Sequence, residues 1–350
     1  MGIIQVDCEF KEVLQRITSG ADLARDEAHH VFTKIMAGSV PESILGALLG
    51  ALCTKGECVD ELVGAAEAMR AVAVPVRCAR DCIDTCGTGG DGISTFNVST
   101  TAAIIAASAG ATVAKHGNRS NSRASGSTEV LDHLGVNVAA GVEVIERCLD
   151  EINVGYLNAQ LLHPAMRHAA PVRQAVAIRT IFNLVGPLTN PAGARRQVVG
   201  VPRVDLLDTM ATALLALGTT HSWVVHGADG LCDLTVTAST SVVEVRGRNL
   251  KRFTVTPEEA GLARGKLRDL LVDSPAASAA MVEGVIEGGR GAPRDHSLLN
   301  AGAALVVAGV AGDINEGVEL AARAVDDGTC AETLRRWRVL SHDDVGVPPA

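Results

Sequence analysis

Cys82-Ile-Asp-Thr-Cys-Gly-Thr-Gly-Gly-Asp-Gly92, running on to Asn97-Val-Ser-Thr100, reads as a strand, a glycine-rich loop and the start of a helix. Residues 82–85 give the short run of a buried strand, and Val98 to Ser108 follow as a small-residue helix with Ser99 and Thr100 as candidate capping residues. Glycines let main-chain N–H groups approach phosphate oxygens, and a helix N-terminus adds donors and partial positive charge. The stretch is therefore an anion cradle mounted on an α/β frame.

Outward from it, strand and helix patterns alternate. Ala111–Ala114, Val198–Val201 and Ser222–His226 read as strands; Thr128–Leu134, Val142–Ile152 and Asp205–Leu217 read as helices. Such alternation predicts a mostly parallel central sheet with helices around it. Thr235–Thr237 and Val242–Val245 suggest a small antiparallel excursion, and Ala276 to about Arg338 returns to helices rich in Ala, Val and Leu. Before Pro75 only helical spacing appears, as in Phe10, Val13, Leu14 and Ile17. The expected organisation is an α/β protein with an N-terminal helical domain, residues 1–75, and a larger α/β domain, residues 76–350, with helices from about 163–185 packing on the first.

Composition bounds the partners. The chain has 350 residues, a net charge of −9 and only 2% aromatic residues. This argues against stacking platforms for single-stranded nucleic acid and against broad attraction to nucleic acid or anionic membranes. An anionic substrate must then be captured by a local device. Met1–Lys11 has no basic segment leading an apolar core, and no long apolar run follows, so a cytoplasmic protein is expected. The nine cysteines include no Cys-x-x-Cys and read as reduced thiols.

Gly87, Gly89 and Gly92 also satisfy Gly-x-Gly-x-x-Gly, so a nicotinamide dinucleotide must be weighed. That reading needs an acidic residue at the end of the second strand, where this chain has Lys115-His-Gly-Asn-Arg-Ser120. The basic segment fits polyphosphate neutralisation better, and of the two cofactors NADP conflicts less than NAD. A third cluster holds His163, Arg167, His168, Arg173 and the run Phe182-Asn-Leu-Val-Gly-Pro-Leu-Thr-Asn-Pro191. Arg173 is the candidate fork for a substrate carboxylate. His163 and His168, taken singly, read as buried structural histidines before donors.

Together these segments resemble the anthranilate phosphoribosyltransferase family, among the nucleoside-phosphorylase-like phosphoribosyltransferases. The resemblance spans about residues 8–340 and rests on Gly87–Gly92, Asn97–Thr100, Lys115–Ser120 and Arg179-Thr-Ile-Phe-Asn-Leu-Val-Gly-Pro-Leu-Thr-Asn-Pro191. It implies transfer of a phosphoribosyl group from 5-phosphoribosyl 1-diphosphate to anthranilate in tryptophan biosynthesis, with Mg²⁺, by a homodimer that binds small molecules and neither nucleic acid nor membrane. It implies that Gly87, Gly90, Asp91, Thr95, Asn97, Val98, Ser99 and Thr100 line diphosphate and ribose. Lys115, His116, Gly117, Asn118, Arg119, Ser120, Asn121, Ser122 and Arg123 would continue that loop, and Ser127 would add a donor. Gly87, Asn118 and Arg173 would hold anthranilate, with His116, His163 and Pro187 as further lining; Ser99 and Asp233 would hold metal. No general base is assigned.

Two departures from the family pattern stand out. Cys232-Asp233 replaces the acidic pair that serves the metal sites, which predicts weaker Mg²⁺ binding and tolerance of Mn²⁺, with Asp229 as a candidate substitute ligand. Asn121-Ser-Arg-Ala-Ser125 lacks two adjacent serines. Competing readings are a pyrimidine nucleoside phosphorylase of the same fold and a catalytically degenerate paralogue that binds nucleic acid.

Overall fold

The computed structural model describes residues 8–120 and 124–343. Four helices come first: α1 (Cys8–Thr18), α2 (Arg25–Met36), α3 (Glu42–Lys55) and α4 (Val59–Ala71). Each apolar stripe faces inward, and Phe32, Leu48, Leu49, Leu52 and Leu62 are fully buried. The chain then runs through β1 (Cys82–Gly87), α5 (Val98–Ser108), β2 (Thr112–Gly117), α6 (Ser127–His133), α7 (Val142–Ile152), β3 (Val154–Asn158) and the one-turn α8 (Ala159–Leu162). A 3₁₀ turn at Pro164–His168, α9 (Ala170–Val176) and α10 (Ile181–Val185) follow. The rest comprises β4 (Arg196–Gly200), α11 (Leu206–Ala216), β5 (His221–Gly227), β6 (Thr240–Arg246), β7 (Asn249–Val255), α12 (Pro275–Ile286), α13 (Ala292–Ala308), α14 (Ile314–Asp326) and α15 (Thr329–Leu340).

The contacts divide the chain into two compact units. One holds the residues up to Val74 with His163–Thr189; the other holds Pro75–Leu162 with Asn190 onward. In the helical unit α2 packs on α4, α9 on α3, and α10 on α4. The second unit is built on one seven-stranded sheet, ordered β3-β2-β1-β4-β5-β6-β7. Pairing is parallel from β3 to β5 and antiparallel through β6 and β7. Strand order reverses between β1 and β4, the crevice where open α/β sheets take their ligands.

The structure corrects several expectations. β2 extends to Gly117, so Lys115 and His116 are strand residues and not loop residues. Thr235–Thr237 is no strand, because the Thr235 and Thr237 hydroxyls donate to the Asp229 carboxylate and fold the segment back. β3 and β7 were missed: β3 is five residues with Gly155 inside, and β7 is an exposed, charged edge strand without clear alternation.

The cap of α5 also differs from expectation. Asn97 is the N-cap, its side chain accepting from Thr100 N at 3.1 Å, so neither Ser99 nor Thr100 takes that role. Asn97→Ala is expected to cost about 1 kcal/mol, the ordinary value of a lost N-cap, measurable by urea unfolding; an unchanged midpoint would deny the cap its weight.

Candidate active site

The cradle forms because β1 ends at Gly87, opposite Gly200 of β4, and the chain must turn at once into α5. Gly89 and Gly90 have φ of +65° and +85°, a backbone region that glycine enters without steric cost. Thr88 N donates to Gly200 O at 2.9 Å, and the Thr85 hydroxyl donates to Ser99 O at 2.9 Å, so both ends of the loop are tied down. Asp91 accepts from Ile93 N and Cys232 N, and the Cys232 thiol lies 3.7 Å from Gly89 O. Asp91 thus braces its own loop. Beyond it Thr95 is buried, and its hydroxyl has no hydrogen-bond partner among the described residues. The Val98 side chain is buried in the core, leaving only its main chain for a ligand.

The basic segment divides by burial. Lys115 is 2% exposed, and its ammonium donates to Thr85 O of β1, two residues before Gly87. Asp84 beside it is fully buried, accepting from His116 N at 3.1 Å and from the Asn190 amide at 2.9 Å. Burial pushes the Asp84 carboxyl up, while Lys115 and these donors hold it back. Asn190 also donates to Ala114 O, which cross-links β1 and β2. Arg119, by contrast, is exposed, with a 3.9 Å ion pair to Glu129.

Gly117 closes β2, and Ser120 is half-buried. Asn118 is held through its carbonyl, which accepts from Ser127 Oγ at 3.2 Å and Thr128 N at 3.4 Å. Ser127 and Thr128 are in turn anchored by the Tyr156 hydroxyl, at 3.3 and 2.6 Å. Tyr156 and Asn190 escaped the sequence reading because β3 was not recognised and Asn190 read only as part of a rigid loop. Asn121, Ser122 and Arg123 lie outside the described residues.

Ser99 and Asp233 line one small pocket with Thr85, Cys86, Cys232 and Asn300. They supply a hydroxyl and a carboxylate, the hard oxygens a divalent cation prefers, but no assembled set of carboxylates. Such a set fits a cation completed by diphosphate oxygens. The Asp229 carboxylate accepts from Leu231 N, Thr235 Oγ1 and Thr237 Oγ1 and so holds its own turn. Among the described residues the one cluster with metal-ligand spacing is Asp22, Cys58 and Glu61, and the Lys55 ammonium bonds to both acids there.

In the helical unit, Arg173 lies on α9 and is half-buried. Its guanidinium makes no hydrogen bond or ion pair among the described residues and faces the Phe182 ring at 5.3 Å. Burial pushes its pKa down, as expected for a cation lacking an anionic partner. Arg179 instead pairs with buried Glu57 at 3.3 Å and serves the bundle. His168 packs against Gly38, where an added Cβ would lie 2.6 Å from Nδ1. His163 is buried, and burial lowers its pKa to about 4 against a main-chain bond at Thr189. Pro187 is buried as well.

A second buried histidine matters for stability. His296 on α13 is fully buried with neither ring nitrogen partnered among the described residues, and burial lowers its pKa from 6.5 to about 4. The unfolded chain therefore binds more protons between these values. Stability should be complete above about pH 6.5 and fall toward pH 4, by about 1.4 kcal/mol per pH unit for each such histidine. His296→Phe is expected to flatten that acid slope in urea unfolding at pH 5 and pH 8; an unchanged slope would contradict the assignment.

Known proteins share this architecture. A family model described as the glycosyl transferase family a/b domain matches residues 79–331, and its helical bundle domain matches residues 11–73. The chain is 50% identical over 328 residues to an anthranilate phosphoribosyltransferase from Anaeromyxobacter sp. (strain K), covering 93% of this chain and 97% of that one. The crystal structure of the anthranilate phosphoribosyltransferase from Thermus thermophilus matches with a TM-score of 0.89 and 39% identity, over 94% of this chain and 99% of that one. The Saccharomyces cerevisiae enzyme in complex with PRPP and Mg shares the fold, with a TM-score of 0.87 and 22% identity over 96% and 98% of the two chains. The chain belongs to the anthranilate phosphoribosyltransferase family of glycosyl transferases.

Proposed function

We propose that this protein transfers the 5-phosphoribosyl group of 5-phosphoribosyl 1-diphosphate to the amine of anthranilate, giving N-(5-phosphoribosyl)anthranilate and pyrophosphate. The observation that carries the reading is the braced Gly87–Gly92 loop leading into α5 at the reversal of strand order. Breaking the bond from ribose C1 to the diphosphate builds positive charge on the sugar and negative charge on the leaving group. Amide donors fixed in advance stabilise the leaving group without reorganising during the reaction. Gly87, Gly90, Asp91, Thr95, Asn97, Ser99 and Thr100, with the Val98 main chain, are the proposed lining. Arg119 is the exposed neutralising charge, and Lys115 is the buried one.

Arg173 is proposed to take the acceptor's carboxylate bidentately. An aromatic amine is uncharged at neutral pH, so no side chain need remove a proton before attack. Mg²⁺, when bound, would neutralise diphosphate charge, and Ser99 and Asp233 are the residues that would hold it. The proposal includes a cytoplasmic homodimer. Among the described residues no helix is long and apolar enough to cross a membrane.

The test is the loss of anthranilate fluorescence on adding the phosphoribosyl donor and Mg²⁺, in parent and Cys232→Asp proteins. Turnover by the parent is expected. Turnover by the variant alone would make this chain a disabled relative.

A further inference from the structure

The geometry points to Phe182 as the residue that positions Arg173, through its ring face. The inference rests on the reading of Arg173 as the acceptor's carboxylate fork. Arg173 and Phe182 sit on successive helices, α9 and α10, with the guanidinium carbon 5.3 Å from the ring centroid. A guanidinium over an aromatic face is held electrostatically by the ring quadrupole. A ring face is at most a weak hydrogen-bond acceptor, so the strong N–H donors of the fork stay available to a carboxylate.

The ring itself is fixed. Phe182 is 4% exposed and meets fully buried Phe32 of α2 edge to face, with centroids 5.7 Å apart and planes at 76°. In a chain with five phenylalanines, two are therefore committed to this one stack. The guanidinium has no other hydrogen-bonding or charged partner among the described residues. Without the ring it would have to be oriented by the substrate alone, and the lost orientation would appear as weaker acceptor binding.

Phe182→Leu keeps an apolar side chain and removes the π face. It is expected to raise the anthranilate KM about tenfold, a change equivalent to about 1.4 kcal/mol. The donor KM and kcat at saturating anthranilate should hold within twofold. Phe182→Tyr, which keeps the face, should restore the parent KM. Because Phe182→Leu could unfold the bundle, the decisive series replaces Phe182 with its 4-fluoro, 3,5-difluoro and 3,4,5-trifluoro analogues. These hold the ring's shape and progressively weaken its quadrupole.

A stepwise rise of the anthranilate KM along the series supports the positioning role. A flat series, with Arg173→Ala still raising that KM, overturns the role of Phe182 alone. If Arg173→Ala also leaves it unchanged, the carboxylate reading of Arg173 fails first.

Discussion

Arg173→Ala should raise the Michaelis constant for anthranilate about a hundredfold and leave that for the phosphoribosyl donor nearly unchanged. A hydrogen bond to a charged group contributes roughly 1.5–3 kcal/mol, and a bidentate pair about 2.8 kcal/mol or more, which is two factors of ten. The same substitution should not weaken the fold. Its guanidinium is half-buried without an anionic partner among the described residues, so truncation removes a desolvation cost along with the packing. Arg173→Lys should recover only part of the affinity, because an ammonium cannot reproduce the planar fork. Steady-state kinetics with each substrate varied separately decides the matter; equal rises in both Michaelis constants would rule out the carboxylate role.

The second large effect concerns stability. Lys115→Met should cost about 1–3 kcal/mol, the range for a buried hydrogen-bond partner left unmade, since it strands the Thr85 carbonyl and removes the positive charge that offsets burial of the Asp84 carboxyl. Combining Lys115→Met with Asp84→Asn should recover part of that loss. No charge is then stranded, and the introduced amide oxygen can still accept from His116 N, while its NH2 cannot accept from Asn190 Nδ2 as the native Oδ2 does. Chemical unfolding of both single variants and the double variant measures the coupling. If Lys115→Met kept full stability and lost only donor affinity, Lys115 would be a direct phosphate contact and its bond to Thr85 O unimportant for the fold.

This pair marks the limit of what the sequence could say. The order strand, glycine loop, helix was legible because Cys82–Gly92 and Val98–Ser108 carry local signals: a short buried run, clustered glycines and small helical residues. Arg173 was a candidate fork by residue type alone. That Lys115 turns inward was not, because β2 continues past Ala114 and its pairing with β3 decides which face Lys115 takes. Tyr156 was missed for the same reason, since β3 announces itself only by five residues with a glycine inside.

Asn97 displaced Ser99 and Thr100 as the cap because capping depends on where helical dihedrals begin, a boundary that sequence places to within a residue or two. Asp229 looked like a spare ligand in the sequence. Its partners Thr235 and Thr237 lie six and eight residues on, and only the folded turn commits its carboxylate to them.

Phosphoribosyl transfer to anthranilate requires that this chain release pyrophosphate only as it forms the anthranilate product. Its most direct test is a mass balance on the purified protein with anthranilate, 5-phosphoribosyl 1-diphosphate and Mg²⁺, following N-(5-phosphoribosyl)anthranilate by mass spectrometry and pyrophosphate by an enzyme-coupled assay. The expected result is one product per pyrophosphate released. Pyrophosphate release without the anthranilate product, or neither product at saturating substrates, would contradict it.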